Sequence, residues 1–206
     1  MEGEARYLLV GCGVLEKEMT YLIKKNKWPL DSIFLDATLH ADIDKLAETL
    51  SNVLNEHAKE DLIVFYGECH PCMEEITRKA NAVRVDAQNC MEMILGRERF
   101  RMEVEQRAFF LLEALILCWD DAIKMAFGEN LRIAREIFQS EQDYFLYIKT
   151  PCSGDVMLRA EVISRCLGLP LRSMEVSLDQ LEAAVSDAIA KKRGERNDGR
   201  RGKNGR

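Results

Sequence analysis

The sequence predicts an α/β protein whose strands form a mainly parallel sheet. Three observations carry that prediction. Short apolar runs of strand composition, Arg6 to Gly11, Ser32 to Asp36 and Leu62 to Tyr66, alternate with segments whose apolar residues recur at helical spacing. Strand and helix alternate four times in the first half of the chain, a pattern that makes the strands parallel with right-handed crossovers and helices on both faces. A length of 206 residues, 47% hydrophobic and 31% charged, suits one domain with a full core. The expected architecture is a Rossmann-like three-layer fold with a mainly parallel sheet and a helix-rich second half, as a single domain over residues 1–193.

The first strand leaves through Gly11-Cys12-Gly13. Leu15, Met19, Leu22 and Ile23 then mark one face of a helix ending near Trp28-Pro29. The second strand is followed by Ala37-Thr38-Leu39-His40, and from Asp42 a long helix carries Ile43, Leu46, Leu50, Val53 and Leu54 as one apolar stripe. Gly67 stops the third strand. A helix runs from Met73 to Lys79, Ala82 to Val85 is a short strand, and Gln88-Asn89-Cys90 opens the next helix. Phe109 to Leu112 reads as a strand, because adjacent aromatics point to opposite faces of one, and a helix then reaches Phe127. Asn130 to Gln139 is helical, Tyr144 to Lys149 a strand, Val156 to Leu167 helical and Leu171 to Val176 extended. Ser177 with Gln180 reads as a capping box on a last helix that turns Leu178, Leu181, Val185 and Ile189 inward.

The last sixteen residues hold eight Lys or Arg against two acids, a charge of +6. Against −6 for the whole chain, the first 190 residues carry −12. A tail without apolar residues cannot bury a core, so residues 194–206 are expected to be a basic disordered tail. The acidic body opposes a nucleic-acid role for that tail. No apolar run is long enough to span a bilayer, and the acidic start lacks the pattern of a signal peptide. These features predict a cytoplasmic protein without a membrane segment, whose seven cysteines are thiols rather than a disulfide framework.

The carboxyl ends of parallel strands share one edge of the sheet, where α/β proteins bind their ligands. Cys12 follows the first strand, His40 the second, Cys69 the third and Cys90 the fourth. Three thiols and an imidazole, dispersed in sequence, are thus predicted to meet in one crevice, with Glu68, His70 and Asn89 supporting them. Thiolate and imidazole are soft or borderline donors suited to zinc, an iron–sulfur cluster or cobalt, and not to Mg²⁺ or Ca²⁺. Plain burial of the cysteines is the bland alternative. A redox dithiol at Cys69 and Cys72 is a further one, weakened by Pro71 between them and by the lack of thioredoxin-like context. Cys118 and Cys166 lie in apolar helical patterns and read as small core residues, Cys152 at a strand end stays open, and His57 reads as solvated. Gly11-x-Gly13 with Asp36 suggests a dinucleotide fingerprint, but Glu16 stands where the third glycine belongs. Asp36, Glu68 and Glu92 are candidate acids or bases, a residue type more often used as a helix cap or ion-pair partner.

The strings VGCGVLEKEM, TLHADIDKL, IVFYGECHP, NCMEMILGRERF and AFFLLEA, followed by Trp119, occur in the same order as in the domain-of-unknown-function 1638 family, which the chain resembles over about residues 7–150. The family pattern has a Cys after the first strand, a Leu-His, a Tyr-Gly-x-Cys turn and an Asp- or Asn-Cys before a Leu-Gly turn. These correspond to Cys12, to Leu39-His40, to Tyr66-Gly67-Glu68-Cys69 and to Asn89-Cys90. The resemblance implies an accessory role in corrinoid-linked one-carbon metabolism of methanogens and anaerobes, with a corrinoid protein or a methylamine-type methyltransferase as partner. Cys72 and the tail lie outside the pattern, and residues 97–140 would form a cap over the crevice. The expected function is therefore a metal- or corrinoid-binding accessory protein using Cys12, Cys69, Cys90 and His40. The alternatives are an iron–sulfur enzyme whose open iron acts as Lewis acid on a small molecule in the crevice, and a non-catalytic interaction module with buried cysteines.

Overall fold

The computed structural model describes residues 6–128 and 130–203. The apolar runs of the first half form β1 (Tyr7–Cys12), β2 (Leu30–Leu35), β3 (Leu62–Phe65) and β4 (Val83–Arg84). They make one sheet in the order β2-β1-β3-β4 with every neighbouring pair parallel. The connecting helices are α1 (Glu16–Asn26), α2 (Ile43–Glu56), α3 (Met73–Lys79) and α4 (Cys90–Leu95), and α5 (Arg97–Glu105) leads away from β4. The direction of winding reverses between β1 and β3, which makes their carboxyl ends the topological switch point.

The remaining strands do not extend this sheet. β5 (Ala108–Leu111), β6 (Tyr144–Lys149) and β7 (Leu171–Glu175) form a second parallel sheet in the order β5-β6-β7. On the β4 side the sheet ends because that strand is two residues long and offers almost no edge to template a fifth. Helices α6 (Glu113–Leu117), α7 (Trp119–Phe127), α8 (Leu131–Glu141) and α9 (Met157–Leu167) belong to the second sheet, and α10 (Asp179–Lys203) closes the chain.

Three apolar clusters hold the layers together. On one face of the first sheet, Leu46, Leu50 and Leu54 of α2 pack against Leu8, Val10 and Val64. Its other face, with Leu9, Ile63 and Phe65, meets Met19 and Leu22 of α1, Met93 and Ile94 of α4, and Leu181, Val185 and Ile189 of α10. Tyr144, Leu146 and Ile148 of β6 close the same cluster from the second sheet. Trp119, Phe138, Ala160 and Ile163 cover the outer face of that sheet around Phe145. Each sheet is thus covered by helices on both faces, and the helices between the sheets serve both.

Two local expectations need correction. Ser177 does not form a capping box with Gln180: its hydroxyl donates to the Asp179 carboxylate at 2.8 Å and accepts from the Asp179 amide at 3.4 Å, while Gln180 lies against Gly96. Residues 194–203, expected to be a disordered tail, continue α10 as helix, propagating from the turns that Leu181, Val185 and Ile189 pack into the core. Lys192 anchors that helix by donating to the Asn81 carbonyl at 2.6 Å, and Arg196 reaches Asp61 at 3.4 Å. Residues 204–206 of the expected tail, and the first five residues, lie outside the described residues. Among the described residues no helix is long and apolar enough to cross a membrane.

Candidate functional site

The four strand exits of the first sheet are pressed together by close backbone approaches. A Cβ on Gly13 would lie 2.8 Å from the Leu35 carbonyl oxygen, so the exits of β1 and β2 touch there. One on Gly67 would lie 2.2 Å from the Gln88 carbonyl oxygen, and the Glu68 amide donates to that same oxygen at 2.6 Å. The Tyr66-Gly67-Glu68-Cys69 turn is thereby held against the turn that leads into Cys90. Asn89 fixes the second turn as the N-cap of α4, its side-chain oxygen accepting from the Met91 and Glu92 amides, each at 3.0 Å. Asp36 similarly starts a 3-10 turn over Ala37–Ala41 by accepting from the Thr38 amide at 2.8 Å, which presents His40.

Cys12, His40, Cys69 and Cys90 meet at this edge. Cys12 is buried and its Sγ lies 3.8 Å from His40 Nδ1. Cys69 and Cys90 are half-buried, and Cys90 is within Coulombic reach of both Cys12 and Cys69. Burial pushes the Cys12 thiol up to about 11 and raises Cys69 and Cys90 as well; proximity to Cys69 adds to the first, and proximity to Cys12 and Cys69 to the last. His40 is an exposed residue of the cavity wall, yet the protein packed around its ring lowers its pKa. Among the described residues, no three His, Cys, Asp or Glu stand in a preformed metal-holding arrangement. The expected convergence is therefore one of place, with the side chains not drawn in around a common point.

Tyr66 is the residue that the sequence reading missed. It is buried, its ring centroid is 6.3 Å from that of His40, and its hydroxyl has no hydrogen-bond partner. Burial first, and then proximity to Cys12 and Cys69, raise its pKa. The only sequence signal was its place in the Tyr-Gly-x-Cys string.

The supporting residues divide. Asn89 is used as a cap, and Glu68 is exposed. His70 turns away from the cluster: its Nδ1 accepts from the Cys72 amide at 2.9 Å, and both residues line a separate groove between α2 and α3. Cys72 is exposed and free, which places it apart from the strand-end cluster. Glu92 accepts from the Gln88 amide and from Arg97, so it is a structural carboxylate. His57 pairs with Glu60 at 2.7 Å rather than standing free in solvent.

Above the cluster lies a cavity of about 300 Å³. His40, Cys90 and Met91 form one side of it, and Leu115, Cys118 and Ala122 of the α6–α7 region the other. Within the stretch expected to cap the crevice, α6 and α7 do so, whereas α8 packs on the outer face of the second sheet through Ala134 and Phe138. Cys118, expected in the core, is half-buried at the junction of α6 and α7 and faces this cavity. It stands where one helix ends and the next begins, a break that no apolar periodicity reveals.

The fold and the site define an α/β protein of two parallel sheets with a thiol- and imidazole-lined crevice at the switch point of the first. Residues 34–185 match the model of the family described as protein of unknown function (DUF1638), and the chain belongs to that family. His40, Cys69 and Cys90 fall within the matched residues and Cys12 precedes them. Neither curated proteins nor solved structures give a match.

Proposed function

We propose that the protein binds one soft transition-metal centre at the strand-end crevice, with Cys12, Cys69 and Cys90 as thiolate ligands and His40 as the fourth. The observation that carries this reading is the 3.8 Å separation of Cys12 Sγ and His40 Nδ1. A tetrahedral zinc-like centre, with metal–sulfur and metal–nitrogen distances of about 2.3 and about 2.05 Å, sets its sulfur and nitrogen ligands about 3.6 Å apart. The unpartnered Tyr66 hydroxyl beside Cys12 fits the same reading, since a ligating thiolate would accept its hydrogen bond. Bound there, the metal would supply Lewis acidity. The chain's own groups exclude water behind it and orient the sulfurs through Asn89 and Gly67.

The cavity beside the cluster favours a second reading, in which the metal keeps one position open and acts on a small substrate. Its volume of about 300 Å³ suits a metal ion with a small molecule better than a corrinoid ring. The setting, as an accessory to corrinoid proteins or methyltransferases of one-carbon metabolism, rests on the family resemblance alone.

Elemental analysis and an ultraviolet–visible spectrum of protein purified without oxygen test the proposal. We expect one metal per chain, lost in Cys12→Ala, Cys69→Ala and Cys90→Ala and retained in Cys72→Ala and Cys118→Ala. Equal metal content in all five variants would overturn it.

A further inference from the structure

We infer that the cavity over the cluster takes a small, uncharged and largely hydrocarbon ligand carrying one soft donor atom, such as a short alkyl thiol. The soft-donor half rests on the second metal reading above, in which one position stays open to a ligand, and the apolar half stands on the cavity itself. Phe110, Leu112, Leu115 and Ala122 give it hydrocarbon walls, and among the described residues no Asp, Glu, Lys or Arg lines it. The lining side chains that carry a heteroatom are mostly sulfur-bearing, Cys90, Met91, Cys118 and Met125, with Thr38 as the single hydroxyl and His40 as the single imidazole. Three further cavities differ in kind. Each carries several charged groups, for example Lys17, Lys24 and Glu113 in the one of about 720 Å³.

A carboxylate or phosphate entering the apolar cavity would shed water without meeting a counter-charge, which rejects it. The rim reinforces this selectivity, since Met125 is 56% exposed there, an apolar side chain held in water at the entrance. At about 300 Å³ the space is at the small end of ligand pockets, so the ligand has few non-hydrogen atoms. His40 and Cys90 form the wall nearest the sulfur cluster, which places the ligand's donor atom at that end and its hydrocarbon against α6 and α7.

Two thiols of similar size that differ in charge test the inference. Cobalt(II)-loaded protein is titrated anaerobically with propane-1-thiol and, separately, with mercaptoacetate, and the visible cobalt bands are followed. Propane-1-thiol should perturb the bands at concentrations at least about tenfold lower, and an equal or reversed order would overturn the inference. Ala122→Phe, which fills the cavity from a partly exposed position, should weaken propane-1-thiol at least about tenfold while leaving the cobalt spectrum of the unliganded protein unchanged. Wild-type binding by that variant would also overturn it. A protein that takes up no cobalt would sink the metal reading alone. The same pair is then compared by isothermal titration on metal-free protein, where a preference for propane-1-thiol sustains the apolar cavity and its absence overturns it.

Discussion

With Cys12 pushed up to about 11, Cys69 and Cys90 raised and His40 lowered by burial, the metal-free site at neutral pH holds three protonated thiols and a neutral imidazole. A metal taking all four ligands must displace three protons, all from sulfur. Its apparent affinity should therefore rise with pH by about three decades per unit near neutrality and fall equally as pH drops. Competition against a chelator at several pH values reads that slope, and a slope of two would remove one thiol from the ligand set. Tyr66→Phe is the companion test. It deletes a buried hydroxyl without a partner, so the thermal midpoint of metal-free protein should hold or rise. Metal affinity should fall by about tenfold or more as the thiolate loses its donor. A lowered midpoint would mean that the hydroxyl is already satisfied without metal.

Between elements, the site depends on how two turns touch. Gly67→Ala would set a methyl 2.2 Å from the Gln88 carbonyl oxygen and force the end of β3 away from the start of α4. The expected cost is about 2 kcal/mol in chemical denaturation, accompanied by loss of metal as Cys69 and Cys90 separate. Gly194→Ala is the contrasting control. Nothing lies within 4 Å of its added methyl on α10, so the variant should be neutral or gain up to about 1 kcal/mol. Most element positions were legible from local pattern: Leu181, Val185 and Ile189 of α10 are buried as expected, as are Leu46, Leu50 and Leu54 of the α2 stripe, whose Ile43 is instead exposed and whose Val53 is half-buried. Contacts set by side-chain direction were not legible. Asp179 takes the Ser177 hydroxyl that Gln180 was expected to share, and His70 folds back onto the Cys72 amide instead of toward the cluster.

For the molecule as a whole, α10 ties the end of the chain to the first sheet. Lys192 supplies the buried anchor at Asn81, and Arg196 adds a partly exposed ion pair with Asp61. Deleting residues 194–206 leaves the first and removes the second, so the urea midpoint should imply a loss of no more than about 1 kcal/mol. A larger loss would show that the distal turns of α10 bear on the body.

The sequence by itself determined the strands, the helices between them, and the arrival of Cys12, His40, Cys69 and Cys90 at one sheet edge. It could do so because side-chain periodicity and parallel winding are local rules, and they suffice to say which ends of the strands lie together. Only the tertiary structure decided that the strands divide between two sheets, that α6 and α7 roof the crevice with Cys118 facing in, and that Tyr66 stands unpartnered beside the thiols. Those features depend on which surfaces pack across long sequence separations. Packing of that kind follows from the fit of whole faces, and a run of residues read in order does not contain it.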